Sequence, residues 1–540
     1  LLHKFSDYGP ALASADLDGN GLDDVVVSGN GNSPGRIFFQ KTNGRFSEKM
    51  LYDYQSNTDG EFKDEGILIF DANADGRPDI YITSGGYQFR QGNPNYQDRL
   101  YINEGNLLFK LDTNALPQIH ASKFCVRAFD YNHDGKLDLF VSARVDPWNY
   151  PKPVSSFIFR NDSKKKKAKF TLVTDEVAPD LKNIGMVSDA LFTDFDNDGQ
   201  PDLILTGEWM PITFLKNEHG KFVKIKTGLE NKLGLWNSIS AGDFRHTGRM
   251  DYIVGNLGLN NIFNASDSFP LYITAGDYDN NGTYDAFPSY FIKSPDGEKK
   301  EYPLFSRDDM VKQLITLKNK FPDYSSFANA TMQDILTPQQ MQASHRLKAN
   351  FLQSCFLRND GNGKFTLVPL PKEAQMSILN GMVVDDFNGD GNLDVAISGN
   401  DYGTEISSGR YDALNGLVLS GDGKGNFKPL SILQSGIFIP GNGKALIQFI
   451  GAKGNLLVGA SQNRDVLKIF KLKKPVQHLK VLPDDISAVI TYKNGLTQKK
   501  EFYYGASFLS QSARFLLVTP QMKSITITNN SGTKRTIDLP

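Results

Sequence analysis

Acidic side chains recur along this chain in one nine-residue frame. In Asp194-Phe195-Asp196-Asn197-Asp198-Gly199-Gln200-Pro201-Asp202, carboxylates stand at positions one, three, five and nine, with glycine at six. Position seven can add its backbone carbonyl. Carboxylate and carbonyl oxygens gathered by a tight loop are what a hard cation such as Ca²⁺ prefers, and glycine supplies the sharp turn. The candidate ligands are Asp16, Asp18, Asn20, Leu22 and Asp24 in the first copy, then Asp71, Asn73, Asp75, Arg77 and Asp79 in the second. Asp130, Asn132, Asp134, Lys136 and Asp138 make the third, and Asp194, Asp196, Asp198, Gln200 and Asp202 the fourth. Asp277, Asp279, Asn281, Thr283 and Asp285 follow, and Asp386, Asn388, Asp390, Asn392 and Asp394 complete six. Leu22, Arg77, Lys136, Gln200, Thr283 and Asn392 would contribute only carbonyl oxygens. About six structural Ca²⁺ ions are therefore expected. A further copy, Asp243 to Asp251, places Arg245 and Thr247 where ligands belong; its arginine is expected to replace the ion.

An EF-hand begins with similar spacing, but it needs a glutamate at position twelve and a helix on each side. Here the twelfth positions are Val27, Ile82, Val141, Leu205, Pro288 and Ile397. Strand-like runs follow the loops, such as Val25-Val26-Val27 and Ile80-Tyr81-Ile82, rich in the β-branched and aromatic residues that favour sheets. A single loop of this composition could be an ion-free surface turn. Six copies at equivalent positions argue for cations.

The elements that must position these loops follow one grammar. A strand enters the acidic loop and a second leaves it; a variable connection follows, then a third strand turns through an Asn/Gly hairpin into a fourth carrying phenylalanine. Closing hairpins of this kind are Arg36–Phe46, Leu100–Phe109, Ile212–Phe222, Phe356–Phe365 and Leu417–Phe427. The first four loops start roughly 50 to 65 residues apart, a period of repeat architectures. Four short antiparallel strands per repeat predict an all-β fold, a β-propeller of about seven or eight blades with calcium loops. Between Gly258 and Asp277 no closing hairpin is evident, and either Leu1–Phe5 or Val466–Leu472 could close the ring.

A helical insertion is expected at about 306–349, where Ser306-x-x-Asp309, Thr331-x-x-Asp334 and Thr337-Pro338-x-Gln340 resemble capping boxes. Met310, Val311, Leu314, Ile315 and Leu317 would form its apolar stripe. The run Lys164–Lys167 reads as a solvated hairpin tip. After about Lys474 the pattern changes to hairpins at Tyr492–Gly495 and Asn529–Gly532, predicting a propeller over 1–473 and a small β domain over 474–540.

Composition fits this picture. The 540 residues are 39% hydrophobic and 11% aromatic, enough for a sizeable core. Net charge is −2, which gives no case for nucleic acid or an anionic membrane; six bound Ca²⁺ ions would make the protein positive by about ten charges. Cys125 and Cys355, both in strand-like runs, read as separate buried thiols. No long apolar segment is present, and the start at Leu1 without methionine suggests a processed or excised piece. Weak oxygen-ligand sites fill at extracellular calcium levels, so export is expected.

The acidic loops resemble FG-GAP/VCBS repeats of the integrin-α-like propeller class. The segment Tyr503-Tyr504-Gly505-Ala506-Ser507-Phe508-Leu509-Ser510-Gln511-Ser512 resembles the ASPIC/UnbV domain. Together they are similar to the cartilage acidic protein and UnbV group, above all its exported Bacteroidetes-type members, as are Gly255–Asn260 and Arg410–Ala413. The tail lacks the Trp-Pro-type turn of many relatives. The resemblance implies an extracellular or outer-membrane-surface scaffold stabilised by calcium, sometimes preceded by a further propeller, with no established reaction. Some relatives carry an RNA-binding label, which the charge here does not support.

In such a propeller, acidic loops and closing hairpins share one face, and the remaining connections share the other. Arg144, Trp148, Tyr150, Glu208, Trp209, Trp236, Tyr402, Arg410 and Tyr411 all fall in the second set. They are expected to form an aromatic ligand face suited to glycan stacking or peptide recognition, although each tryptophan could equally pack its own loop. Two function classes follow. One is a binding or assembly module for an extracellular glycan or envelope protein, surface-associated through that partner or a removed N-terminal anchor. The other is a calcium-dependent polysaccharide lyase, drawing on Arg144, Arg410, Tyr150, Tyr411 and His120. No nucleophile elbow, HExxH or phosphate loop occurs.

Overall fold

The computed structural model describes residues 2–30, 33–52, 62–405 and 408–540. Seven antiparallel sheets are arranged around one axis. Their innermost strands are Leu12–Ala15, Asp64–Phe70, Ser122–Phe129, Met186–Thr193, Ser238–Gly242, Leu379–Asp385 and Gly443–Ile450. Each contacts the next, and the last contacts the first, so the ring closes. Among the described residues it is a seven-bladed propeller, with three strands in the seventh blade and four in each of the others, consecutive in sequence except in blade five. Inner strands such as Asp64–Phe70 and Met186–Thr193 are buried along their whole length. They pack blade against blade on both faces, which is why they read as continuous apolar runs instead of alternating ones.

The ring closes without a strand shared between the first and last blades. Lys468–Lys471 is simply the third strand of blade seven. The seam is held by side chains: Ile450 N donates to Asp23 Oδ2 at 2.8 Å, Ser461 Oγ to Pro10 O at 2.6 Å and Asn463 Nδ2 to Gly9 O at 2.8 Å.

Blade five explains the missing hairpin. Its second strand, Asp251–Gly255, pairs directly with Cys355–Gly361, so everything between is an insertion. That insertion holds more than helices. Strands Leu271–Gly276, Asp285–Lys293, Lys299–Pro303 and His345–Ala349 form a separate four-stranded sheet, and five short helices span Arg307–Gln313 to Pro338–Ala343. Thr331 and Thr337 close capping boxes as expected, and Ser306 caps through Asp309 N. Met310, Leu314 and Leu317 are buried, but Ile315 is 63% exposed. The first helix ends at Gln313 and Leu314 is extended, which turns Ile315 out of the predicted stripe. The loop from Asp277 to Asp285 therefore belongs to the inserted sheet, not to a blade. Lys164–Lys167 is an exposed turn, and Cys125 and Cys355 are free and buried.

The tail has its own core of Val481, Ala488, Ile490, Tyr492, Phe502, Leu516, Met522, Ile525 and Ile527, built on the sheet of Asp485–Tyr492, Thr497–Glu501, Met522–Asn529 and Lys534–Asp538. Between its strands the chain leaves this core and enters the propeller axis. Ser510–Gln511 pairs in parallel with Leu12–Ala15 as a fifth strand of blade one. Ile69 N donates to Gln511 Oε1, and Gln511 Nε2 to Ile69 O. Ala128 N donates to Tyr504 O, Met382 N to Ser507 Oγ and Leu446 N to Ser510 Oγ. One segment thus fills the channel and ties several blades together. Ser507 and Phe508, with φ of 56° and 52°, make the tight turn at its tip.

Candidate metal loops and the channel mouth

All seven acidic loops share one backbone. The sixth position is glycine with positive φ in each: Gly21, Gly76, Gly135, Gly199, Gly248, Gly282 and Gly391, between 71° and 89°. A side chain there would be strained. The ninth-position aspartates begin the next strand and are buried, Asp24, Asp79 and Asp202 completely. One oxygen of each blade copy accepts a backbone N–H from the third strand. Asp24 takes Gln40 N at 2.8 Å, Asp138 takes Asn161 N at 2.7 Å and Asp202 takes Asn217 N at 2.8 Å.

Charge is crowded at the other end of the same carboxylates. Asp16, Asp18 and Asp24, and likewise Asp194, Asp196 and Asp202, offer oxygens all within 4.8 Å of one another. Asp16 Oδ1, Asp138 Oδ2, Asp194 Oδ1 and Asp285 Oδ2 are buried without a hydrogen-bond partner. Burial first, and the neighbouring carboxylates with it, push Asp24 and Asp79 up to about 7 and Asp138 and Asp202 to about 8. Asp285, Asp386 and Asp394 rise to about 6 for the same first reason. Orphaned, crowded carboxylate oxygens fit a cation. In the Asp243 loop, the Arg245 guanidinium takes both oxygens of Asp251 at 2.9 and 2.8 Å and the Asn359 carbonyl at 2.7 Å. There a side-chain cation does this work.

The intact blade loops lie on the face that the tail covers. Lys480 Nζ stands 3.4 Å from Asp16, Lys499 Nζ 3.1 Å from Asp194, and Asn530 donates to Asp130. Clefts of about 690 and 490 Å³ between the tail and the first three blades leave these loops open to solvent ions. The Asp277 loop lies on the opposite face, carried there by the insertion.

The structure divides the residues expected on the ligand face. Arg144, Tyr150, Glu208 and Trp209 do come together, but inside the channel mouth. Arg144 Nη2 donates to Glu208 Oε1 at 2.6 Å, Tyr150 Oη to Glu208 Oε2 at 3.4 Å, and Trp209 Nε1 to Tyr150 Oη at 2.8 Å. The N-terminal segment seals this cluster. His3 Nε2 lies 2.8 Å from Glu208, Tyr8 Oη accepts from Arg144 Nη2 at 3.0 Å, and Phe5 stacks on Tyr87. Burial alone would raise the Glu208 carboxyl, but Arg144 and then His3 outweigh it and hold it near 2. Trp236 is fully buried against Phe351, and Tyr411 is buried beside Asp401. A shared exposed surface of three tryptophans is therefore not present: only Trp148 is exposed, at 37%. Tyr402 and Arg410 form a separate cation–π pair, 5.1 Å apart. His3, Tyr8 and the Ser507–Ser510 tip carried no periodic signal in the sequence, since they belong to irregular segments; the Tyr503–Ser512 run stood out only through its family resemblance.

Three stretches, 16–82, 71–141 and 194–254, match the FG-GAP-like repeat family, each starting on the first aspartate of an acidic loop. These stretches, about a third of the chain, are similar to FG-GAP-like repeats. No curated protein matches it. Among solved structures, it is similar to the biofilm matrix protein Bap1 of V. cholerae, at 14% identity, covering 87% of this chain and 77% of that one, with a TM-score of 0.33. Sqt1 of Saccharomyces cerevisiae is 9% identical over 100% of this chain and 97% of that one, with a TM-score of 0.36. The extracellular domain of the putative hybrid two component system BT4673 from B. thetaiotaomicron is 10% identical over 100% and 73%, with a TM-score of 0.27. Likenesses this loose carry no functional argument.

Proposed function

We propose that this FG-GAP-repeat propeller is an exported, calcium-stabilised binding or assembly module whose partner, a glycan or an envelope protein, meets the face opposite the tail-covered loops. The tail is read as an ASPIC/UnbV-like domain that completes the propeller. What supports a binding module is the filled axis: the Tyr503–Ala513 segment occupies the channel and Leu2–Tyr8 covers its mouth. Recognition is left to the outer connections and the insertion. Export is supported by the loops, whose weak oxygen donors suit extracellular calcium. No helix among the described residues is long and apolar enough to cross a membrane.

The lyase reading gains one observation, the meeting of Arg144, Tyr150, His3 and Glu208. The cavity beside His3, Tyr8 and Glu208 measures about 30 Å³ and is not lined by Arg144 or Tyr150; it has room for about two waters and not a sugar. Binding is therefore favoured. A polysaccharide and glycan screen with calcium, followed by absorbance for unsaturated products, tests both readings. Binding without product is expected, and product formation would overturn the preference.

A further inference from the structure

One acidic loop stands apart from the rest. The loop from Asp277 to Asp285 sits on the inserted sheet, away from the tail, against the connection that carries Trp148. We propose that this loop, together with Arg90 and Trp148, forms a binding site for a uronate-bearing glycan; the proposal rests on the binding reading above and gives that face its site and ligand class.

The loop carries the acidic frame of the blade loops, with Asp277, Asp279 and Asp285 less closely gathered than the Asp16 and Asp194 sets. Asp285 is 4% exposed, and its Oδ2 is buried without a partner. Asp277 and Asp279 accept backbone N–H groups from Asn281 and Gly282 that shape the turn. Its Asp279-to-Gly282 rim is exposed, as Asp18 to Gly21 is in the first loop, but here no tail domain lies over it. The loop is also registered against its neighbour. Tyr284 N donates to Trp148 O at 3.0 Å, and Arg90 reaches the turn, with a β-carbon added to Gly282 falling 3.9 Å from Arg90 Nη1.

Arg90 and Trp148 supply the other half. The guanidinium lies 4.7 Å over the Trp148 ring, and Trp148 Nε1 is fixed by the Tyr87 carbonyl at 3.2 Å. Among the described residues no carboxylate pairs with Arg90, an exposed cation held on a flat aromatic wall. A uronate matches each part. Its carboxylate pairs with the guanidinium, its hydroxyls complete the cation's oxygen shell, and its apolar ring face lies against the indole.

The test uses the whole chain with tri-galacturonate, titrated by calorimetry and by tryptophan fluorescence with and without calcium. Calcium-dependent binding is expected, weakened at least tenfold by Arg90→Ala, Trp148→Phe and Asp285→Asn. The count of bound Ca²⁺ should fall by one in Asp285→Asn and stay unchanged in Arg90→Ala, which separates ligand contact from cation loss. Trigalactose, lacking the carboxylates, should bind at least tenfold more weakly, and a poly-glutamate peptide should not compete. Tri-galacturonate binding unaffected by all three substitutions would overturn this site while leaving the binding-module reading standing. Equal binding of poly-glutamate would overturn the glycan class. No binding of any glycan in the wider screen would overturn both.

Discussion

Asp189 joins more of this molecule than any acidic loop does. It lies on the inner strand of blade four, fully buried. One oxygen accepts from Arg127 of blade three and from Ala190 N; the other accepts from Ile239 N of blade five and from Phe508 N at the tip of the channel segment. Arg127 in turn donates to Phe508 O at 2.6 Å and Ala190 O at 2.8 Å. Asp189→Asn keeps the volume but removes the charge and one acceptor. It points N–H donors at groups that are themselves donors and leaves the 2% exposed Arg127 uncompensated. Removing one partner of a buried ion pair costs about 3–5 kcal/mol. The expected outcome is an unfolding free energy, measured by urea titration, lowered by that amount, with the tail becoming cleavable by protease near Phe508 before the propeller unfolds. Replacing both partners with apolar residues, Arg127→Met with Asp189→Leu, should recover most of the loss. A single variant within about 1 kcal/mol of the parent would refute the view that this hub anchors the tail in the channel.

Two further outcomes concern the loops. In calcium-depleted protein, Asp24, Asp79, Asp138 and Asp202 hold protons more tightly folded than unfolded, at about 7 to 8 against 3.8. Folded-state stability should therefore fall as pH rises from about 4 to about 8, by up to about 4–6 kcal/mol per loop before solvent screening reduces it, and calcium should restore it. Scanning fluorimetry of depleted and loaded protein at pH 5.5 and 8 checks this; depleted protein equally stable at both would count against it. In the ion-free loop, Arg245→Ala should cost about 3 kcal/mol by stranding Asp251, whereas Arg245→Asp with Thr247→Asp should add one bound Ca²⁺ by equilibrium dialysis, because the loop backbone already matches the others.

Local chemistry was readable from residue types alone. The nine-residue frame carries its own backbone requirements, a glycine at positive φ and an aspartate entering a strand, so the loops and the blades they start could be placed from sequence spacing. Arg245 as a stand-in cation followed from the same reasoning. What the sequence left open depends on distant partners. Whether the Asp277 loop starts a blade or decorates an insertion is decided by the pairing of Asp251–Gly255 with Cys355–Gly361, across about a hundred residues. Trp209, Trp236 and Tyr150 occupy connections that look exposed in sequence, yet they are buried because the N-terminal segment, the insertion and neighbouring blades close over them. The Tyr503–Ser512 run has no periodicity because a segment threaded along a propeller axis is bonded to a different blade at almost every residue. Only the closed ring, which brings several inner strands to one line, gives that run its partners.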